Sequence, residues 1–216
     1  MAEETKPIWG QCSHGICQQI RSKCNMRPSN VSVVVHDGDD IIVCQYGLGH
    51  NYGLFGTCSG HYERDDTCWI STAKRELEEE YKIFITDEHF ESRIDAIVLI
   101  AEHPTILFNF HGFDLYALRD EVFSEYIYAC NVLGLRTIYQ CRHCHKTPNE
   151  TPEQSRIASN GEMMGIARMN IFDIYYFDFQ DSSRNAIHYA FAFSGLPVPR
   201  RPRHLKMYGG RTFKIW

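Results

Sequence analysis

Within six residues, Arg75-Glu76-Leu77-Glu78-Glu79-Glu80, the chain places four carboxylates and one guanidinium. On a helix turning about 100° per residue, Ile70, Ala73, Leu77 and Tyr81 form a narrow apolar stripe that packs on a sheet. Spacings of three and four bring Glu76, Glu79 and Glu80 onto one adjacent face, and Glu78 points elsewhere. Carboxylates crowded in this way repel one another unless a cation compensates, and hard oxygen ligands suit Mg²⁺ or Mn²⁺. Trp69 and Thr72 fall on the carboxylate side, where they either line a site or pack on the neighbouring loop. A solvated, Glu-rich surface helix is the simpler alternative on helix geometry alone.

The residues before the helix bear on that choice. Phe55-Gly56-Thr57-Cys58-Ser59-Gly60-His61-Tyr62-Glu63 reads as a short strand running into a glycine turn, followed by the acidic loop Glu63-Arg64-Asp65-Asp66. Glycine at such a turn lets backbone approach an ion or phosphate closely. Asp65, Asp66 or Thr67 is expected to cap the helix, over about Thr67 to Tyr81.

This unit resembles the Nudix hydrolase signature, G-x5-E-x7-R-E-U-x-E-E-x-G-U with U apolar. Here Gly60 is followed by five residues, Asp66, eight residues, then Arg75-Glu76-Leu77-Glu78-Glu79-Glu80-Tyr81-Lys82-Ile83. Phe55 to Gly60 is similar to the family's W-x-x-P-x-G entry. Asp66 stands where Glu is usual, one extra residue precedes Arg75, and Lys82 replaces the last glycine. The resemblance implies an α/β (α+β) fold, an α/β/α sandwich around a mixed β-sheet. It implies Mg²⁺- or Mn²⁺-dependent hydrolysis of a nucleoside diphosphate linked to another moiety. It also implies that Glu79 and Glu80 bind metal with the Gly60 carbonyl, that Glu76 binds metal or orients water, and that Arg75 holds the carboxylates in place. The proton acceptor in such a site is often a Glu outside the signature. Glu162, where a polar loop enters an apolar strand, is the first candidate, and Glu121 and Glu125 are alternatives. A non-catalytic module that binds nucleotide or RNA is the competing reading.

Nine cysteines without an apolar leader in Met1–Trp9 point to reduced thiols or metal ligands in a cytoplasmic protein, with a nuclear location left open. Cys141-Arg142-His143-Cys144-His145 is half of a zinc site, and Cys12, Cys17 or His14 would complete it, with Cys24 nearby. The aromatic run Asp173–Phe179 is expected to pack in the core rather than sandwich a base. From Pro197 onward, Arg200, Arg201, Arg203, Lys206, Arg211 and Lys214 meet no acidic residue, while the rest of the chain carries 16 basic and 27 acidic residues. Such a tail can contact RNA phosphates, which favours an RNA-linked or dinucleotide substrate such as capped RNA. ADP-ribose, other nucleotide sugars and diphosphoinositol phosphates are the alternatives. The tail can equally dock on the core through Phe213, Ile215 and Trp216.

These groups must be positioned by a hairpin, Val31–Val35 with Ile41–Gln45, and by strands at Ile94–Ala101, Thr105–Leu118, Leu135–Cys141 and Met163–Met169. Asp120–Cys130 is ambiguous, residues 145–161 read as a loop, and Ser182–Phe193 reads as a helix. The expected organisation is an irregular, Cys-containing extension over 1–29, a catalytic domain over 30–195 and a basic tail over 196–216. No run is long and apolar enough to span a membrane, so no membrane partner is expected.

Overall fold

The computed structural model describes residues 12–23, 28–47, 49–81, 83–100, 105–111, 126–129, 137–141, 163–200 and 212–214. The first element is a helix, α1 (Gly15–Lys23), which corrects the expectation of irregular chain through residue 29. Its Ile16, Cys17 and Ile20 are buried. An i, i+1, i+4 apolar spacing in nine residues is too short a repeat to announce a helix, and packing stabilises it. The β-branched run predicted as a hairpin forms β1 (Asn30–Asp37) and β2 (Asp40–Tyr46). Gly38 turns between them at φ 58°, a left-handed conformation that favours glycine.

Short strands β3 (Phe55–Gly56) and β4 (Cys58–His61) lead into α2 (Trp69–Tyr81), two residues later than expected. A helix that the sequence did not announce, α3 (Asp87–Ser92), follows, with the Thr86 hydroxyl accepting from the His89 N–H at 3.3 Å. Then come β5 (Ile94–Ile100), β6 (Thr105–His111), β7 (Tyr126–Ala129), β8 (Thr137–Cys141) and β9 (Met163–Asn170). The ambiguous Asp120–Cys130 segment thus contains a strand. A second long helix, α4 (Asp181–Ser194), ends at Gly195, and β10 (Thr212–Lys214) follows. Residues 112–120 and the predicted loop 145–161 lie outside the described residues.

The strands form one mixed sheet in the order β10-β5-β6-β1-β2-β9-β8-β7. β1 runs parallel to β6, and the other pairs are antiparallel. β1 changes partner along its length, pairing with β4 over Asn30–Val33 and with β2 over Val35–Asp37. Thr212–Lys214 of the tail pairs with Val98–Ile100, so this part of the tail is a sheet edge.

Alternation along β1 divides the core into two layers. Val31, Val33 and Val35 pack with Ile16 and Ile20 of α1 and with Ile70, Leu77 and Tyr81 of α2. Val34 faces the opposite way and packs with Ile41, Val43 and Leu107 and with Ala186, Ile187 and Ala190 of α4. The result is the expected α/β/α arrangement, an α+β fold with helices on both faces of a mixed sheet. Being covered on both faces, β5 carries the unbroken apolar run Ala96–Ile100.

Tyr81 anchors the end of α2 to the sheet. It is fully buried; its hydroxyl accepts from the Cys58 N–H at 2.9 Å and donates to the Ile42 carbonyl at 3.2 Å. Tyr81→Phe leaves both backbone groups buried without that partner. A loss of about 1–3 kcal/mol is expected in a urea titration, with the denaturant slope unchanged.

Candidate active site

Arg75, in the second turn of α2, gathers the acidic loop onto the helix. Its guanidinium lies 3.2 Å from Asp66, 2.7 Å from Glu76, 2.9 Å from Glu79 and 3.7 Å from Glu63, and donates to the His61 carbonyl at 2.8 Å. Burial works against its charge. Hydrogen bonding to Asp66 and the charges of Glu76, Asp66 and Glu79 outweigh that and raise its pKa. One guanidinium against the four carboxylates it touches leaves a surplus of negative charge.

Asp66, out of step with the signature, is drawn into this cluster. It is buried and accepts from the Glu63 N–H at 2.9 Å, the Thr72 hydroxyl at 3.0 Å and Arg75. The extra residue is absorbed before the helix, where Ser71 Oγ accepts from the N–H groups of Thr67 and Cys68 at 2.8 and 2.9 Å. Asp65, Asp66 and Thr67 therefore do not cap α2 as expected, because the helix starts later. Asp66 instead positions Arg75.

β4 passes close to α2, and a side chain at position 60 would have to displace the Glu76 carboxylate. A Cβ on Gly60 would stand 1.7 Å from Glu76 Oε1. Glu76 is buried against this backbone, and Glu80, one turn on, is buried and accepts from the Ser59 N–H at 3.0 Å. Burial, together with the Glu80 charge, pushes the neighbouring Cys44 and Cys58 thiols well up, so both stay neutral. Glu79 lies at the rim of this face, half-exposed and paired with Arg75, while Glu78 is exposed. Gly60, Glu76 and Glu80 meet where α2 faces β4, and Glu79 is turned to Arg75; these carboxylates are hard oxygen donors of the kind a divalent cation takes, but their oxygens do not converge as closely as the ligand atoms of Cys12, His14, Cys17 and Cys68 do. Thr72 holds Asp66 of the loop, and Trp69 is buried with its indole N–H towards the Pro28 carbonyl, ahead of β1, at 3.4 Å.

On the other side of Ser59 and Gly60 lies a cavity of about 480 Å³ between β1, β4 and the start of α4. A chain of polar groups lines it: Ser32 Oγ lies 3.1 Å from Thr57 Oγ1, which donates to Ser183 Oγ at 3.4 Å, which donates to Gln180 Oε1 at 3.0 Å. Sequence reasoning missed this wall. Its hydroxyls are spread from position 32 to 183, and no local spacing connects them. Glu162, Glu121 and Glu125 lie outside the described residues. In the aromatic run, Ile174 and Phe179 are buried and Tyr176 is exposed; Phe177 meets Phe55 edge-on at 6.1 Å, as core packing requires. Cys12, His14 and Cys17 do converge, but on Cys68. Cys141 ends β8, and Cys144 and Cys24 lie outside the described residues. No helix among the described residues is long and apolar enough to cross a membrane.

No protein-family model matches the chain, and no curated protein does. Among solved structures, it is similar to a bifunctional NMN adenylyltransferase/ADP ribose pyrophosphatase from Francisella tularensis, with 22% identity over 45% of this chain and a TM-score of 0.33. The match spans 31% of that chain. It is also similar to the NUDIX domain of Shewanella oneidensis NrtR, with 10% identity over 79% of this chain and 93% of that one, TM-score 0.40. A NUDIX hydrolase from Nitrosomonas europaea matches with 11% identity over 82% of this chain and 78% of that one, TM-score 0.43.

The close approach at position 60 gives a test of the site's geometry. Gly60→Ala meets the end of a flexible side chain rather than backbone, so stability should fall by no more than about 1–2 kcal/mol in a urea titration. A crystal structure of the variant should show the Glu76 carboxylate swung away from β4.

Proposed function

We propose that the chain is a Nudix-type pyrophosphohydrolase that cleaves a nucleoside diphosphate linked to another moiety. The observation that carries this reading is the carboxylate face of α2 pressed against Gly60, where a Cβ would stand 1.7 Å from Glu76 Oε1. It combines with the Arg-Glu-Leu-x-Glu-Glu core of the signature. Glu76, Glu79, Glu80 and the Gly60 carbonyl would hold Mg²⁺ or Mn²⁺. Such a cation, when bound, stabilises charge at the leaving oxygen and makes water a better nucleophile.

The chain's own residues do the rest. Arg75 and Asp66 fix the rotamers of the cluster, so the oxygens are preorganised before substrate arrives. Ser59 N–H holds Glu80 inward. Glu162, just before β9 in the sequence, is the first candidate to take the proton from the attacking oxygen, with Glu121 and Glu125 as alternatives, and Glu76 would bind metal or orient the water. The cavity beside Gly60 has the size and the hydroxyl and amide lining to take the nucleoside part of a substrate, with its diphosphate over the carboxylates. The basic run at Arg200, Arg201 and Arg203 favours a substrate whose other moiety is RNA, over ADP-ribose, nucleotide sugars or diphosphoinositol phosphates.

Glu76→Gln and Glu80→Gln should each lower turnover about 100-fold or more in Mg²⁺ or Mn²⁺, while Glu78→Gln stays within about twofold. Product masses from a panel of capped RNA, dinucleotides and ADP-ribose would identify the bond cleaved. Near wild-type hydrolysis in both site variants would remove the reading. Binding of these compounds without turnover by the wild-type protein would favour a non-catalytic module.

The RNA arm has its own test. Replacing Arg200, Arg201 and Arg203 by Gln should lower the log–log salt slope for RNA binding by about one unit for each phosphate that is no longer neutralised. Hydrolysis of a short dinucleotide should be unchanged. An unaltered RNA salt slope would exclude these three arginines as partners of the phosphates.

A further inference from the structure

We infer that Cys12, His14, Cys17 and Cys68 form a structural zinc site that ties α1 to the start of α2. One ligand atom from each of the four residues lies within 4.8 Å of all the others, although His14 and Cys68 are 54 positions apart. In a tetrahedral site, zinc bonds of about 2.3 Å to sulfur and 2.0 Å to nitrogen make the sulfur–nitrogen and sulfur–sulfur edges about 3.5–3.8 Å. Cys68 Sγ lies 3.4 Å from His14 Nδ1, within about 0.1 Å of such a sulfur–nitrogen edge. Three sulfurs and one imidazole are a soft donor set, unlike the oxygens at Glu76, Glu79 and Glu80, and they select zinc rather than Mg²⁺ or Mn²⁺.

The surroundings support a ligand role. His14 turns Nδ1 towards the sulfurs and places Nε2 3.0 Å from Asp87 Oδ2, which is itself paired with Lys74. A carboxylate on the far nitrogen is how a metal-bound histidine is oriented and made more basic. Cys17 and Cys68 are buried, and Arg21 donates to the Cys12 carbonyl at 3.1 Å, which holds the third sulfur's backbone in place. Four closed ligands with no open position suit a structural ion rather than a catalytic one. Binding releases the thiol protons to solvent and leaves three thiolates on the metal.

The placement has a consequence for the helix. Cys68 immediately precedes α2, and at 1.5 Å per residue Glu76 lies about 12 Å further along the same axis. The zinc site would fix one end of the helix whose other end Tyr81 anchors. This assignment stands apart from the proposed hydrolysis, because a soft-metal staple is compatible with an idle carboxylate face.

The full-length chain, purified under a thiol reductant and without chelator, should hold about one zinc per chain by elemental analysis. After zinc removal, Co²⁺ should give the visible bands of a tetrahedral ion and a thiolate-to-cobalt charge-transfer band. Cys17→Ser and Cys68→Ser should each fall below about a tenth of an equivalent, and Asp87→Asn should bind zinc about 10- to 100-fold more weakly in a competition titration. A Cys141→Ser/Cys144→Ser double variant should keep its zinc. Wild-type protein that holds no zinc and gives no tetrahedral cobalt spectrum would overturn the assignment, whatever the variants do. So would full zinc in Cys68→Ser, or its loss in the Cys141/Cys144 double variant.

Discussion

The candidate site depends on one guanidinium. Arg75 reaches carboxylates on the loop before α2 and on the helix itself, and it also holds the His61 carbonyl at the end of β4. Without a cation at that point, Asp66 and Glu76 would bring like charges together in a partly buried space, where they repel. With it, loop, strand and helix share one electrostatic centre. The carboxylates of Glu76 and Glu80 face the backbone of Ser59 and Gly60.

The same helix is constrained from its other sides by different physics. Its apolar stripe, Ile70, Ala73, Leu77 and Tyr81, is buried against β1 and its neighbours. The Tyr81 hydroxyl satisfies backbone groups of two strands at its C-terminal end. At its N-terminal end stand Cys68 and the cluster contributed by Cys17 of α1 and by Cys12 and His14 just before it. Hydrophobic packing resists lifting of the helix, whereas directional contacts at the two ends resist rotation and sliding. Rotation matters most, because a turn of one residue would exchange Glu76 and Glu80 for Leu77 and Tyr81.

The sheet supplies the frame for this. β1 leaves β2 and pairs with β4 over its first half. That change of partner places Ser59 and Gly60 between the carboxylates on one side and the polar cavity on the other. α4 closes the cavity from the opposite face, bringing Gln180 and Ser183 to hydroxyls that begin on β1 and on the residue linking β3 and β4.

Local periodicity made the helix and its carboxylate face legible, because a turn of about 100° per residue is a property of the backbone and needs no partner. The β-branched hairpin, the strands at residues 94 and 163 and the α4 helix were legible for the same reason. Asp66 was not: spacing alone sets it one residue out of register, and only the folded loop shows that the extra residue is taken up before Trp69. α1 is too short to declare itself and takes its stability from burial. Spacing around Cys12, His14 and Cys17 marked half of a metal site and pointed to Cys141 and Cys144 for the rest. The tertiary structure brings Cys68 to them, and Cys144 lies outside the described residues. Ligand sets are chosen by distances across the fold, and chain separation carries no information about those until the strands have paired and the helices have docked.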